Sequence, residues 1–434
     1  MGTETAVNLV VLGLWHLGCV TAACCAKQFN VIGLDFDAEV VAQLKDGKAP
    51  LFEPGLDALI QHGLESGRLS FTTEKGDALQ KADILWVCFD TPVDENDIPD
   101  VASVVAKIER CLPELRPETV VLISSQMPVG TCAQFEKKFG DRKLSFACSP
   151  ENLRLGKSLE IFQRPDRIVA GVRDQATRVT LEKLFSPFAD DRVIWMSPES
   201  AEMTKHAINA FLALSVTFAN EIACLCEMSG ADAREVEQGL RSESRIGPKA
   251  YIRSGSAFAG GTLARDVVTL TKIAGEHGQE AVLIRAILRS NERHKDWAMR
   301  RLEKLFPNLG RVTIAVLGLT YKPGTDTLRR SSSVELCSAL LARGCAVHCL
   351  DPVVKVLPPQ LAGAKLYQSL LEALHKVDAI VIATEWPQIR DADWSELMKV
   401  TKDEVIILDA NRALNLPAES LSSARYFAVG TPLP

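Results

Sequence analysis

The sequence predicts an α/β protein in which two Rossmann-like, doubly wound domains are joined by a helical central domain. Short apolar runs alternate with helical segments at both ends of the chain, whereas the middle has helical periodicity only. Such alternation is typical of a parallel sheet covered by helices on both faces. The 434 residues also exceed the roughly 250–300 that one core accommodates. We therefore expect domains at residues 1–199, 200–305 and 306–434.

The N-terminal domain is expected to begin with a strand, a turn and a helix. Val7–Leu12 is a short apolar run, Cys19–Gln28 is helix-like, and Asn30–Leu34 is a second apolar run. Ile84–Phe89 and Val120–Ile123 are further apolar runs that are followed by polar residues. Short apolar runs of this kind, separated by helical segments, predict buried strands of a parallel sheet.

The middle of the chain predicts long helices, and the C-terminal part returns to alternation. Glu202–Ser229 has helical spacing and no proline, and Ala281–Lys304 is again helical. We expect the first of these helices to form a spine between domains. Beyond Arg311, the predicted strands are Val312–Leu317, Ala346–Leu350, Ala379–Ala383 and Val405–Leu408. They predict a second doubly wound domain.

Composition disfavours several classes of protein. A net charge of -6 argues against a broad nucleic-acid surface. The 12 cysteines follow no zinc-site spacing, so we expect no metal site and reduced thiols in a cytoplasmic protein. Ala6–Ala26 lacks charged residues, but no basic segment precedes it and two glycines interrupt it. Neither a signal peptide nor a membrane anchor is therefore expected.

The segment GLWHLG, from Gly13 to Gly18, follows the first predicted strand and opens a helix. Asp35 ends the next apolar run, about twenty residues further on. In dinucleotide-binding domains the helix N-terminus faces the pyrophosphate, and such an acid bonds the ribose hydroxyls, which favours NAD over NADP. Trp15 stands where the middle glycine of this motif is usual. From this motif alone, a strand–turn–helix without a ligand is the alternative.

Further segments follow one another in a recognisable order and spacing over nearly the whole chain. They are FEPGL (Phe52–Leu56), SPENLRLG (Ser149–Gly156), PDRIVAG (Pro165–Gly171), AEMTKHAINAFLAL (Ala201–Leu214), FANE (Phe218–Glu221), RIG (Arg245–Gly247), AFAGGTLARD (Ala257–Asp266), LGLTYKPGTDTLR (Leu317–Arg329) and DANR (Asp409–Arg412). In these segments the chain resembles the UDP-glucose/GDP-mannose dehydrogenase family. The resemblance implies an NAD domain, a helical dimerisation domain and a nucleotide-sugar domain, with the site between them, in a homodimer.

The resemblance also implies the site residues. Lys205 and Asn209, four residues apart on one helix face, match groups at the family's reaction centre, where the lysine stabilises developing negative charge. Without the resemblance, a solvated lysine and a surface asparagine would be preferred. The implied catalytic set is Lys205, Asn209, Asp266, Thr262 and Glu151. The implied cofactor-binding residues are Gly13, Trp15, His16, Leu17, Gly18, Asp35, Thr91, Gln126 and Arg329. The implied substrate-binding residues are Asn152, Leu153, Arg245, Tyr251, Phe258, Gly260 and Lys322.

Lys322 and Arg329 match positions that contact the nucleotide sugar in the family, often from the neighbouring subunit. Two cations beside a diphosphate make chemical sense, since both phosphates carry negative charge. The alternative is a surface loop with ordinary charges.

The chain departs from the family pattern at residues that serve the second of the family's two oxidations. Thr262 stands where the family has the cysteine whose thiolate forms a thioester. Gln126 replaces the threonine that holds the hydrolytic water, Leu155 replaces a second glutamate, and Arg265 replaces a lysine. A threonine hydroxyl is a far poorer nucleophile than a thiolate. The acyl step of the family is therefore expected to be missing.

With hydride transfer kept and the acyl step missing, we expect a redox-neutral epimerase of a nucleotide-activated hexose or heptose. NAD would oxidise the C4 hydroxyl and return the same hydride to the opposite face, with Lys205 transferring the proton and Trp15 helping to retain the cofactor. One alternative is an NAD-dependent nucleotide-sugar 6-dehydrogenase that forms a uronate and releases two NADH. Another is a non-catalytic nucleotide-sugar-binding protein. The expected partners are a nucleotide-diphosphate sugar and a second copy of the chain, but neither nucleic acid nor a membrane.

Overall fold

The computed structural model describes residues 7–92, 99–189, 191–259, 261–416 and 424–432. The chain divides into two compact units, Met1–Ala207 and Ile208–Pro434. Each unit contains one mainly parallel sheet with helices, and the described chain between the last strand of the first sheet and the first strand of the second is mainly helical. The predicted fold class is thereby confirmed. The three predicted domain ranges stay a prediction.

The first unit alternates strands and helices. Its strands are β1 (Asn8–Leu12), β2 (Asn30–Leu34), β3 (Leu69–Thr72), β4 (Ile84–Val87), β5 (Val120–Ile123), β6 (Ser145–Cys148), β7 (Ile168–Gly171) and β8 (Val193–Met196). Its helices are α1 (His16–Cys25), α2 (Ala38–Lys45), α3 (Leu56–Glu65), α4 (Gly76–Gln80), α5 (Val101–Glu109), α6 (Thr131–Phe139), α7 (Ser158–Gln163) and α8 (Gln175–Ala189). The boundary between the units falls within α9 (Pro198–Ser229).

The second unit continues with helices and ends in a second sheet. The helices that precede this sheet are α10 (Ala233–Ser242), α11 (Thr262–Glu276), α12 (Val282–Lys295) and α13 (Trp297–Leu305). The strands are β9 (Thr313–Leu317), β10 (Ala346–Leu350), β11 (Lys365–Tyr367), β12 (Ala379–Ile382), β13 (Val405–Asp409) and β14 (Ala424–Phe427). The remaining helices are α14 (Ser332–Ala342), α15 (Leu370–Ala373), α16 (Pro387–Arg390) and α17 (Trp394–Met398).

The strand order of the first sheet is β3-β2-β1-β4-β5-β6-β7-β8, in which β6 and β7 pair antiparallel. Successive side chains of a strand point to opposite faces. Leu9 and Val11 of β1 accordingly join the core on one face, and Val10 and Leu12 join the core on the other. The order reverses between β1 and β4, and ligands of doubly wound sheets bind outside the carboxyl ends of strands at such a point.

The second sheet has the order β11-β10-β9-β12-β13-β14, which repeats the arrangement of the first six strands of the first sheet. Gly318 follows β9 as Gly13 follows β1, and their φ angles are +92° and +94°. The two turns then differ, because α1 begins directly at His16 whereas α14 begins only at Ser332. The second sheet therefore keeps the glycine turn but lacks a helix that starts immediately behind it.

Asp351 ends the second strand of this sheet, as Asp35 does in the first sheet, but it is buried. Its Oδ2 accepts the Leu319 N–H at 2.7 Å, the Thr320 N–H at 3.1 Å and the Trp386 Nε1–H at 3.1 Å. A carboxylate with this many donors serves to hold the turn after β9. It has little capacity left for a ligand.

Two predicted helix ranges were wrong. The segment predicted as Cys19–Gln28 is instead helical over His16–Cys25. The prediction missed these ends because the helix is apolar on all sides, so no polar face marks them. Ala281–Lys304 is two helices, α12 and α13, which are separated at Asp296. Trp297, the first residue of α13, packs into the core that contains one face of the second sheet.

Helix α9 is long and apolar enough to cross a bilayer by length and composition, with 44% of its most apolar window buried. A core helix of a soluble protein passes the same test, so this finding gives no membrane assignment. In the uncharged stretch Ala6–Ala26, the described residues form β1 and then α1, which are separated by the glycine turn.

Candidate active site

Two glycines shape the turn between β1 and α1. A Cβ on Gly13, whose φ is +94°, would lie 2.9 Å from the backbone nitrogen of Phe89. A Cβ on Gly18 would lie 1.7 Å from the carbonyl oxygen of Gly13. A larger residue at either position would therefore push the turn away from the helix or from the next strand end.

The start of α1 suits a pyrophosphate. Its first turn has no acidic residue, and within the described chain no side chain caps it, so its backbone N–H groups can bind an anion. Trp15 is the N-cap residue, with φ −89° and a side chain that is 45% exposed. This backbone conformation is open to any L-residue, so the middle position of the motif does not require glycine here. Leu17 is buried behind the turn.

Asp35 holds the same turn from the carboxyl end of β2. The Leu14 N–H donates to Asp35 Oδ2 at 2.6 Å, and the Asp37 N–H donates to Oδ1 at 3.1 Å. The Asp35 side chain is only half-buried. Each carboxylate oxygen accepts about two hydrogen bonds, so Asp35 keeps acceptor capacity for ribose hydroxyls. The turn, the open helix start and this acid together fit NAD.

Thr91 and Gln126 meet in the segments that follow the neighbouring strands β4 and β5. Thr91 Oγ1 donates to the carbonyl oxygen of Gln126 at 2.7 Å. Thr91 is buried and Gln126 is half-buried. Because β4 is the strand next to β1, both residues lie at the edge of the sheet where the cofactor is expected.

Lys205 and Glu151 form an ion pair in the first unit. Lys205 Nζ donates to the carbonyl oxygen of Glu151 at 2.6 Å and lies 3.3 Å from its Oε1. Glu151 Oε2 accepts the N–H of Leu153 at 2.6 Å, whereas Asn152 between them is exposed. The Lys205 side chain is only 12% exposed. An ammonium group has three donors, so Lys205 can also bond a sugar oxygen.

Two neighbours of Lys205 fix its helix to the start of α6. The carboxylate of Glu202 accepts the backbone N–H groups of Gly130 at 2.5 Å and Cys132 at 2.9 Å. Burial raises the pKa of Glu202 above its ordinary value, although these N–H groups lower it in part. His206 Nε2 lies 3.2 Å from a backbone carbonyl oxygen in the segment just before α6. Lys205 therefore projects from a well-anchored turn of α9.

In the second unit, Asn209 and Asp266 join α9 to α11. Asn209 Nδ2 donates to Asp266 Oδ2 at 2.6 Å, and both residues are buried. Thr262 is the first residue of α11 and is exposed. Gly260, which the sequence places in the same glycine-rich loop, lies outside the described residues.

The loop before α11 is held by asparagines that sequence reasoning missed as site residues. Three of them each accept one backbone N–H of the loop: Asn220 from Gly255 at 2.8 Å, Asn411 from Ser256 at 2.6 Å and Asn291 from Phe258 at 2.9 Å. Asn220 and Asn411 belong to the segments FANE and DANR. Both segments were recognised in the sequence, but neither asparagine was assigned a role. They position Phe258, which packs partly buried against the core of the helical region.

The remaining substrate candidates lie at the surface of the second unit. Arg245 is exposed and donates from Nε to Glu243 Oε1 at 3.0 Å. Tyr251 is 60% exposed, and Arg329 is also exposed. Lys322 is half-buried, with Nζ 5.5 Å from the centroid of the Tyr321 ring. In the described chain these side chains are therefore accessible to a ligand.

All 12 cysteines are free, and all but one are buried. Burial raises the pKa of the Cys132 and Cys148 thiols well above the ordinary value. Cys224, the half-buried one, also has a raised pKa because of burial. Since the thiolate is the nucleophile, such thiols are inert.

Comparison with known proteins agrees with these features along the whole chain. Three domain profiles of the UDP-glucose/GDP-mannose dehydrogenase family match: the NAD binding domain over residues 7–189, the central domain over 199–293 and the UDP binding domain over 315–415. A UDP-glucose 6-dehydrogenase of Pseudomonas aeruginosa is 34% identical over 414 residues, which cover 90% of each chain. The chain belongs to the UDP-glucose/GDP-mannose dehydrogenase family.

Other relatives and solved structures support this membership. A UDP-glucose 6-dehydrogenase of Rhizobium meliloti is 31% identical over 438 residues, covering 98% of this chain and all of that protein. A UDP-glucose dehydrogenase structure from Pyrobaculum islandicum superposes with a TM-score of 0.83 at 28% identity and covers 99% of both chains. As a member of this family, the protein is an NAD-dependent oxidoreductase, and its substrate is a nucleotide sugar.

The expectation of a C4 epimerase was wrong. Relatives that match nearly the whole chain are named UDP-glucose 6-dehydrogenase, and the similar solved structures are nucleotide-sugar dehydrogenases. The error lay in the weight given to Thr262. A missing thiol removes one route to the second oxidation, but it supplies no means of returning a hydride to the opposite face of a sugar.

Proposed function

We propose that this protein is an NAD-dependent nucleotide-sugar dehydrogenase that oxidises the primary alcohol of a UDP-hexose to a uronate without a cysteine nucleophile. The ion pair of Lys205 with Glu151 carries the proposal, because it sets a nearly buried ammonium group in the same unit as the NAD turn. The names of the relatives support oxidation at C6 and UDP as the nucleotide.

The proposed roles follow from the chemistry of each side chain. NAD, when bound, accepts hydride from the sugar carbon, and Gly13, Gly18 and Asp35 would hold it. Lys205 would donate a hydrogen bond to the reacting oxygen and stabilise negative charge as the alcohol loses its proton. Asn209, fixed by Asp266, would orient the sugar. The cations of Lys322 and Arg329 would bind the diphosphate.

The second oxidation would proceed through the hydrated aldehyde. The alcohol first loses one hydride and one proton to give the aldehyde. Water then adds to the aldehyde to form a geminal diol, and the diol loses a second hydride and proton to give the carboxylic acid. Each hydride reduces one NAD, so two NADH are released for each sugar. No bond to Thr262 is formed at any step.

The test is turnover with UDP-glucose and other UDP-hexoses, followed by absorbance at 340 nm and mass spectrometry of the sugar. We expect two NADH and one uronate for each sugar consumed. One NADH with an aldehyde product would contradict the hydrate step. No NADH from any UDP-hexose would contradict the dehydrogenase itself.

Alkylation with iodoacetamide tests the absence of a thiol nucleophile. We expect the wild-type rate to change less than about twofold, because 11 of its 12 thiols are buried and burial raises the pKa of the half-buried Cys224. The matched control is Thr262→Cys, whose exposed thiol at the start of α11 should react and block turnover. Loss of wild-type activity on alkylation, at a rate similar to that of the control variant, would mean that one of the native cysteines takes part.

We also propose that two copies of the chain associate through α9. Phe211, Phe218 and Leu225 are 65%, 46% and 55% exposed and recur every seven residues, which places them on one helix face. Met228 extends the stripe and is 72% exposed. An apolar stripe of this length is costly to leave in water, and a two-fold contact would cover it with the same stripe of a second copy.

Leu225→Asp should convert this dimer to a monomer, because each copy would bury an unpaired carboxylate in the contact. Light scattering at micromolar concentration would show half the wild-type mass, with an unchanged circular dichroism spectrum. Val356→Asp is the control, since Val356 is 79% exposed and lies outside the helical region. A monomeric wild-type protein, or a dimeric Leu225→Asp variant, would refute this interface.

A further inference from the structure

Glu53 is a buried acid that sequence reasoning assigned to no function. It lies in the segment FEPGL, just before α3, and is only 5% exposed. Its Oε2 lies 2.9 Å from His16 Nε2 and accepts the Gly156 N–H at 2.9 Å, while Oε1 accepts the Ser158 N–H at 2.9 Å. One carboxylate therefore bonds two separate segments of the first unit, the start of α1 and residues 156–158.

The tautomer of His16 follows from these contacts. Burial raises the pKa of Glu53, but hydrogen bonds from Gly156, His16 and Ser158 outweigh it and leave that pKa below its ordinary value. The group is thus an ionised carboxylate, which only accepts hydrogen bonds. His16 Nε2 must then carry the proton that faces Glu53. Ser158 Oγ also lies 3.1 Å from this nitrogen.

The two segments have different tasks. His16 is the first residue of α1, within the NAD turn. Gly156 closes the segment SPENLRLG, whose other end is bonded to Lys205 through Glu151. The substrate segment is thus held at one end by the proposed catalytic lysine. At the other end it is bonded to the carboxylate of Glu53, which also contacts the NAD turn.

We infer that Glu53 is a positioning residue that couples the NAD turn to the substrate segment, so that cofactor and nucleotide sugar bind cooperatively. The inference rests on the proposed function for the identity of the second ligand. When either ligand orders its own segment, the shared carboxylate places the other segment as well. Binding of the second ligand then costs less conformational entropy, because its segment is already ordered.

Glu53→Gln removes the coupling with little change in shape. A glutamine side chain has one carbonyl oxygen and one NH₂ group, so the NH₂ group must face an N–H that the carboxylate accepts in the wild type. At least one of the three contacts is therefore lost. The link is therefore weakened although the residue keeps its size, because at least one contact is lost and the others are no longer made to a charged group.

The measurement is calorimetric titration of NADH into the protein with and without saturating UDP-glucose, a pair of ligands that cannot react. We expect UDP-glucose to tighten NADH binding at least about fivefold in the wild type. In Glu53→Gln the factor should fall below about twofold, with NADH affinity in the absence of sugar changed less than about threefold. Glu65→Gln, at an exposed position of α3, should retain the wild-type factor.

Ser158→Ala keeps the backbone contacts and removes only the hydroxyl beside His16, so it decides the question if Glu53→Gln does not fold. Its coupling factor should be at least twofold below that of the wild type. Equal NADH affinity with and without UDP-glucose in the wild type, or full coupling in the folded variants, would overturn the inference. Because nothing turns over in this titration, that result is distinct from a failure to release NADH from UDP-hexoses.

Discussion

Lys205→Ala should lower kcat with UDP-glucose by about a hundredfold or more, which is the usual cost of losing a positioned proton-transfer group. The variant removes the ammonium that lies 2.6 Å from the Glu151 carbonyl oxygen, so no cation remains there to stabilise the sugar oxygen as its proton leaves. The rate is measured as initial NADH release at saturating NAD and UDP-glucose.

Two comparisons separate this loss from misfolding. The melting temperature and the NADH affinity of Lys205→Ala should stay close to those of the wild type, because Glu202 and His206 still anchor α9. Lys137→Ala, at an exposed position of α6, should leave kcat unchanged. A Lys205→Ala variant that keeps more than about a tenth of the wild-type kcat would show that Lys205 does not carry the proton chemistry.

Gly18→Ala should abolish NADH binding and lower the free energy of unfolding by about 3 kcal/mol, the upper part of the usual range for overpacking. The added Cβ would lie 1.7 Å from the carbonyl oxygen of Gly13, and this contact is with backbone, so no side chain can turn aside. The turn or α1 must move, which spoils the N–H groups that face the pyrophosphate. Urea unfolding and NADH calorimetry measure the two effects.

Gly76→Ala is the matched substitution. A Cβ at Gly76, the first residue of α4, would have nothing within 4 Å. Alanine there should leave NADH binding unchanged and stability unchanged or slightly raised, because it restricts the unfolded chain. Equal NADH binding by the Gly18→Ala and wild-type proteins would mean that the cofactor does not rest on this turn.

The fold could be predicted from the sequence where local patterns determine it. The runs Asn30–Leu34, Val120–Ile123 and Ala346–Leu350 are strands over these same residues. They are short, apolar and bounded by polar or turn residues, so their ends are visible locally. The ends of α1 could not be placed in this way, because a helix that is buried all round has no polar face.

The candidate site was only partly predictable. Lys205 and Glu151 were assigned from the family resemblance, and the structure brings them together. Glu53 was missed because its role depends on burial and on contacts with residues more than a hundred positions away, such as Gly156. The reaction was predicted wrongly because Thr262 shows only that the cysteine nucleophile of one catalytic step is missing. A single residue does not specify which reaction takes its place.

The burial of Asp351 affects which of two abundant metabolites the second sheet can bind. Both sheets share a topology that could accept a dinucleotide, and a cell holds abundant adenine dinucleotide beside its nucleotide sugars. Because Asp351 is occupied by Leu319, Thr320 and Trp386, the acid at this position of the second sheet is not available to an adenosine ribose. We therefore expect rising NAD concentration to fill the site at the first sheet without inhibiting ligand binding at the second.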